Sequence, residues 1–185
     1  MALTRLGLNQ AVNLTSNVTG TLPVANGGTN LSSGFINGTT AVGKILQIKH
    51  ASTSTEASST SSSYADTGLS CTITPTSASN TLLIEIIQNG CGVSGSEFAG
   101  LALKLLRDST SIVDPFSANV GYRHPGTNQN RIGATGFVYK DTTYNSTSAI
   151  TYKTQLKADS GYGTVFTQVN SSHHSSMVIM EVASA

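Results

Sequence analysis

The stretch Ala149-Ile150-Thr151-Tyr152-Lys153-Thr154-Gln155-Leu156-Lys157 decides the fold class. Its residues alternate in character, so Ile150, Tyr152, Thr154 and Leu156 can face inward while Lys153, Gln155 and Lys157 face water. A period of two residues is the mark of a strand with one buried face, and it pins the register, because a slip by one residue would turn every side chain over. Leu69, Cys71 and Ile73 repeat the pattern against Ser70, Thr72 and Thr74 and stop at Pro75.

Working outward, short apolar runs of strand length recur, each bounded by Gly, Ser, Asn, Asp or Pro. They are Ile45–His50, Leu82–Gln88, Leu101–Leu106, Ser111–Phe116, Ile132–Tyr139, Thr164–Val169 and Met177–Val182. Leu82–Gln88 is apolar on both faces except for Glu85, which predicts a central strand ended by Asn89-Gly90, with Glu85 the acid closest to a core. Leu101–Leu106 has helical propensity, yet Gly100, Asp108 and the short run favour a strand. Pro115 restricts Ser111–Phe116 to an edge. Ala51–Ser63 reads as a Ser/Thr-rich loop, and Asp66, Asp108 and Asp114 as turn formers. Eight or nine strands without βαβ alternation predict an all-β fold, an antiparallel β-sandwich of jelly-roll type; periodicity leaves an immunoglobulin-like sandwich or a small barrel open.

Residues 1–42 differ from everything after them. Leu8, Val12, Leu14, Val18 and Leu22 recur among Asn, Thr, Ser and Gly, which are poor helix formers, so the segment is expected to be extended, and too sparsely apolar to make a core alone. Its backbone groups need partners, supplied by water or by sister copies of the same segment. Asn26-Gly27-Gly28-Thr29-Asn30 supplies turn chemistry midway. The expected organisation is an attachment and oligomerisation segment over residues 1–42 and a β-sandwich knob over 43–185. Leu3, Leu6, Leu8, Val12 and Leu14 are the attachment candidates.

Composition narrows the function. Only 10% of the 185 residues are charged, against about 25% in an ordinary soluble chain, and the net charge is +1. The basic residues are scattered, so no patch for nucleic acid is expected. No apolar run is long enough to span a membrane and the first residues lack a signal-peptide core, so neither membrane insertion nor export is expected. That makes the sequons, such as Asn145-Ser146-Thr147, chance matches in an Asn/Ser/Thr-rich chain. Cys71 and Cys91 fit no zinc or redox spacing and read as buried, reduced thiols.

The segment Asn17-Val18-Thr19-Gly20-Thr21-Leu22-Pro23-Val24-Ala25-Asn26-Gly27-Gly28-Thr29 resembles a phrase that recurs in tailed-phage tail fibres and other virion proteins, with Asn30 where many relatives have a final glycine. Gly43–Pro75, Leu105–Val113 and Met177–Glu181 also resemble phage structural proteins, so the likeness extends over most of the chain. It implies a virion component, assembled in the bacterial host cytoplasm, and carries no catalytic residues and no cofactor. It leaves tail and head placement open.

Weighed for chemistry, His50, His124, His173 and His174 are the best metal ligands, but their spacing does not gather them, and no metal is expected. There is no Gly-x-Ser-x-Gly elbow and the acids are spread thinly, so an enzyme is not expected. Tyr122, Arg123, His124, Asn128, Gln129 and Asn130 form the candidate receptor-contact loop, since tyrosine can stack on sugars while amides bind hydroxyls; otherwise the loop is a polar connection. The expectation is a short homotrimeric fibre or spike, docked to other virion proteins through residues 1–42 and offering its knob to a host-surface glycan. The alternatives are a capsid-decoration or head-fibre protein and a carbohydrate-binding module.

Overall fold

The structure is a computed structural model that describes residues 44–94, 99–123, 132–159 and 163–184, with backbone alone at 99, 117–123 and 132. All of these belong to one unit, Gly43–Ser184. The attachment candidates Leu3, Leu6, Leu8, Val12 and Leu14 lie outside the described residues.

Ten strands are described: β1 (Ile45–Thr53), β2 (Ala57–Ser59), β3 (Ala65–Ile73), β4 (Thr81–Ser94), β5 (Ala99–Arg107), β6 (Thr110–Arg123), β7 (Ile132–Asp141), β8 (Ile150–Ala158), β9 (Thr164–Thr167) and β10 (Ser175–Val182). They form two antiparallel sheets packed face to face. In the first, the order is β1-β10-β4-β7, with β9 and then β2 continuing from the far end of β4. In the second it is β3-β8-β5-β6. With β2 and β9 set aside, this is the strand order of a jelly roll, in which the first and last strands are neighbours and each sheet draws strands from both halves of the chain. Ile45 lies opposite Val182, and the Ala183 amide donates to the Lys44 carbonyl at 2.9 Å, so the unit begins where it ends.

The core sits between the sheets, as period-two sequences demand. Leu69, Cys71 and Ile73 of β3, Leu82, Ile84 and Ile86 of β4, Ile150 and Tyr152 of β8, and Met177 and Ile179 of β10 make one buried cluster. Cys91, Val93, Leu101, Leu103, Leu156 and Val165 make a second. Burying a side chain of this size contributes about 1.5–3 kcal/mol. β8 has the expected polarity: Ile150, Tyr152, Thr154 and Leu156 are buried, and Lys153, Gln155 and Lys157 are on the other face. Leu101–Leu106 lies in a strand, and the strand with Pro115 is a sheet edge. Both cysteines are buried and unpaired. Burial pushes the Cys91 thiol up to about 12, which keeps it protonated.

Several local expectations fail for identifiable reasons. Ala51–Ser63 is not one loop: β1 runs on to Thr53, and Ala57–Ser59 pairs with β9. Its β-branched and hydroxyl side chains suit strands, and they also close the links, since Ser59 Oγ accepts from the Ser61 amide at 3.0 Å and Ser61 Oγ from the Ser63 amide at 2.9 Å. Asn89-Gly90 does not end β4. Gly90 takes a φ of +60°, the ladder with β7 shifts between Gln88 and Cys91, and the strand continues to pair with β9. A bulge glycine bends a strand instead of stopping it. A Cβ there would lie 2.7 Å from the Val169 amide and 2.8 Å from His173 Cβ, so glycine is required twice over. Asp66 lies within β3 at a similar bulge around Gly68, and Asp114 lies within β6, so neither is a turn residue. Asp108 is one, at a φ of +53° in the β5–β6 hairpin.

Candidate functional site

β6 and β7 are the strands that flank the expected receptor-contact loop. His124, Asn128, Gln129 and Asn130, with the side chains of Tyr122 and Arg123, lie outside the described residues. His50 is exposed on β1, and His173 and His174 are exposed just before β10. Among the described residues, no three His, Cys, Asp or Glu side chains come together as a metal site would require.

Glu85, expected near the core, is exposed on the outer face of β4. Among the described residues the buried acids are instead Asp141 and Glu181, both fully enclosed and both on the first sheet. Asp141, at the end of β7, reaches across to the second sheet. It accepts from Arg107 Nη1 of β5 at 2.8 and 3.0 Å and from the Tyr152 hydroxyl of β8 at 2.7 Å, and the Thr143 amide and hydroxyl donate to it at 2.9 and 3.1 Å. Burial alone would raise this carboxyl, but those donors and the Arg107 charge outweigh it and hold it below the usual carboxylate range.

Glu181 has no ion pair among the described residues. Its two oxygens accept from Gln47 Nε2 at 2.6 Å, Asn80 Nδ2 at 2.6 Å, the Thr76 hydroxyl at 2.7 Å and the Thr76 and Ser77 amides at 2.8 and 3.3 Å. Again burial pushes upward and the hydrogen bonds prevail, bringing the carboxyl down to about 2. The arrangement ties β1 and the 74–80 connection to β10. Six residues further along β4 from Leu82, which both acids flank, Gln88 accepts from the Thr154 hydroxyl at 3.1 Å and donates to Ser175 Oγ at 3.2 Å, while the Thr67 and Thr154 hydroxyls share a hydrogen bond of 2.6 Å. No buried side-chain nitrogen or oxygen among the described residues lacks a partner. A carboxylate saturated in this way is a fastener; a general acid or base needs a free position from which to reach a substrate proton.

The two outer faces are unlike each other. On the second sheet the outward residues include Ser70, Thr72, Lys104, Lys153, Gln155 and Lys157. Lys153 pairs with Asp66 at 3.0 Å, and the Lys104 and Lys157 ammonium groups lie 4.2 and 5.0 Å from the centre of the Tyr64 ring, whose hydroxyl donates to Asp114 at 2.6 Å. On the first sheet the cross-strand rows of the outer face read Ile48, Met180, Leu83, Lys140, then His50, Val178, Glu85, Val138, then Ser52, Ser176, Ile87, Gly136. Ile48 is 57% exposed, Val138 56% and Ile87 41%, with Val178, Met180 and Leu83 half-buried between them. Apolar residues from all four strands therefore share one solvent-facing surface.

No protein-family model matches this chain, and no curated protein matches it.

The apolar outer face is what sequence reasoning missed, although its signal was present. Leu82–Gln88 is apolar on both faces, and so is Met177–Met180. A run apolar on both faces predicts a central strand, and β4 is central, between β10 and β7, yet only one of its faces is covered.

Proposed function

We propose that this chain is a structural component of a tailed-phage virion, a short homotrimeric fibre or spike whose jelly-roll knob adheres to a surface by shape and contact, without catalytic turnover. The observation that carries the reading is how the polar and apolar groups are deployed. Asp141 and Glu181 are fully committed to holding strands together, and the apolar side chains that the core does not use are presented outward on one sheet. That deployment suits a protein that stacks and adheres. The likeness of Asn17–Thr29 to virion proteins gives the setting. Residues 1–42 then serve as the attachment segment, and a host-surface glycan is the partner proposed for the knob.

A protein census of separated heads and tails from the particle that encodes this chain tests the reading. Recovery with the tails is the expected result. Recovery on the heads alone replaces the tail fibre with a capsid-decoration or head-fibre protein, and absence from both overturns virion placement. Glycan-array binding by the purified chain that is lost on Tyr122→Ala would add adhesion to the role.

A further inference from the structure

We infer that the outer face of the β1-β10-β4-β7 sheet is the surface on which a second copy of this chain packs. The inference rests on the oligomeric part of the proposed function and names the face that makes the contact.

A folded chain rarely leaves an apolar surface spread over four adjacent strands in water, and the centre of an interface is where apolar residues gather and charges thin out. Ile48, Leu83, Ile87, Val138, Val178 and Met180 satisfy the first condition. The charges on the same face satisfy the second and indicate what covers it. Glu85 stands opposite Val138, and Lys140 two residues along β7 stands opposite Leu83. Diagonal neighbours on a sheet lie about 7–8 Å apart, and neither side chain forms an ion pair among the described residues. One acid and one base of the same face thus stand as diagonal neighbours in an apolar field, without a direct ion pair.

A foreign partner of strong charge would find no net sign to match here, since Glu85 and Lys140 carry opposite charges on one face. A second copy carries the same acid and base. Rotated into contact, it brings its Lys140 to Glu85, and the relation repeats at every contact of a closed oligomer. In a dimer the two ion pairs are reciprocal, and in a trimer each Glu85 meets the Lys140 of the next copy. The opposite sheet has no such use for a partner, because its lysines already have Asp66 and Tyr64.

The test is the mass of the full chain in solution, by light scattering over a dilution series, for the wild type, Ile48→Asp, Val138→Asp, Glu85→Lys, Lys140→Glu and the Glu85→Lys/Lys140→Glu double variant. Ser70→Asp on the second sheet is the control, and circular dichroism confirms that each variant is folded. A carboxylate placed in the apolar field is expected to weaken association about tenfold or more. Each single charge reversal is expected to weaken it by a similar factor, and the double variant to recover to within about threefold of the wild type. Ser70→Asp is expected to keep the wild-type mass.

A wild-type monomer overturns the inference, and so does an oligomer that survives both Ile48→Asp and Val138→Asp. If those two variants keep their mass but no longer join the particle, the face belongs to another virion protein and the inference is again wrong. A wild type of two copies, dissociated by the same variants, upholds the face and removes the trimer from the proposed function. Virion placement stands or falls separately, on the census of heads and tails.

Discussion

The two sheets obey opposite rules. The second follows ordinary polarity: Leu69, Leu103, Leu105 and Leu156 point inward, and Ser70, Lys104, Lys153 and Lys157 point to water. The first departs from it on both sides, burying Asp141, Glu181 and Gln88 while exposing Ile48, Ile87 and Val138. The departures have different causes. Inside, each polar group has its full set of donors, so the exceptions are fasteners that tie strands to loops and one sheet to the other. Outside, nothing within the described residues covers the apolar atoms, so the exceptions point to a neighbour.

The largest expected effect comes from breaking the inner exception at Asp141. Asp141→Ala leaves Arg107 and the Tyr152 hydroxyl facing a void, and removal of one member of a buried pair costs about 3–5 kcal/mol. Urea unfolding at pH 7 measures it; a loss below about 1 kcal/mol would mean that the cluster tolerates an empty place and is no fastener.

Glu181→Gln comes next, at about 2 kcal/mol, because an amide keeps the shape but turns an acceptor into a donor that faces other donors. Acid should erase this difference. The folded carboxyl sits near 2, below the ordinary 4.5, so its contribution is complete above about 4.5 and is lost as the pH falls through the folded value. Unfolding midpoints of the wild type and Glu181→Gln should therefore converge between pH 4.5 and 2. Parallel curves over that range would remove Glu181 from the explanation.

On the outside the effects on folding should be small. Val138→Asp changes a side chain that the core does not use, so the stability of the dissociated chain should move by no more than about 0.5 kcal/mol, even though association collapses. A large folding defect would show that the face is packed within its own chain. Smallest of all is Asp66→Asn on the second sheet. Its ion pair with Lys153 is exposed, and such pairs contribute about 0–1 kcal/mol and fade with salt, so the variant should be nearly silent at high ionic strength.

Much of the fold was legible because period-two patterns depend only on local sequence. The alternation of Ile150, Tyr152, Thr154 and Leu156 gives β8 its correct faces with no knowledge of its neighbours. What was not legible depended on distant partners. Asp141 is an ordinary acid until Arg107 and Tyr152 arrive from other strands, and Glu181 until Gln47 and Asn80 do. A hint existed for Glu181, which shares the inward parity of Met177 and Ile179. Glu85 escapes a sequence reading because a strand apolar on both sides can be central in its sheet, as β4 is, and still leave one face open. Asn89-Gly90 reads as a terminus because the same dipeptide can end a strand or bend it, and only the pairing of β4 with β9 tells which. For the candidate site, the apolar positions could be named from sequence, but not the side of the sheet left open.

The meeting of Lys44 with Ala183 has a practical corollary for imaging. A gold particle or fluorescent domain appended past β10 would mark the place where the chain enters β1. A tracking experiment that takes a label past β10 to mark the end of the unit opposite the start of β1 would thus read its polarity backwards.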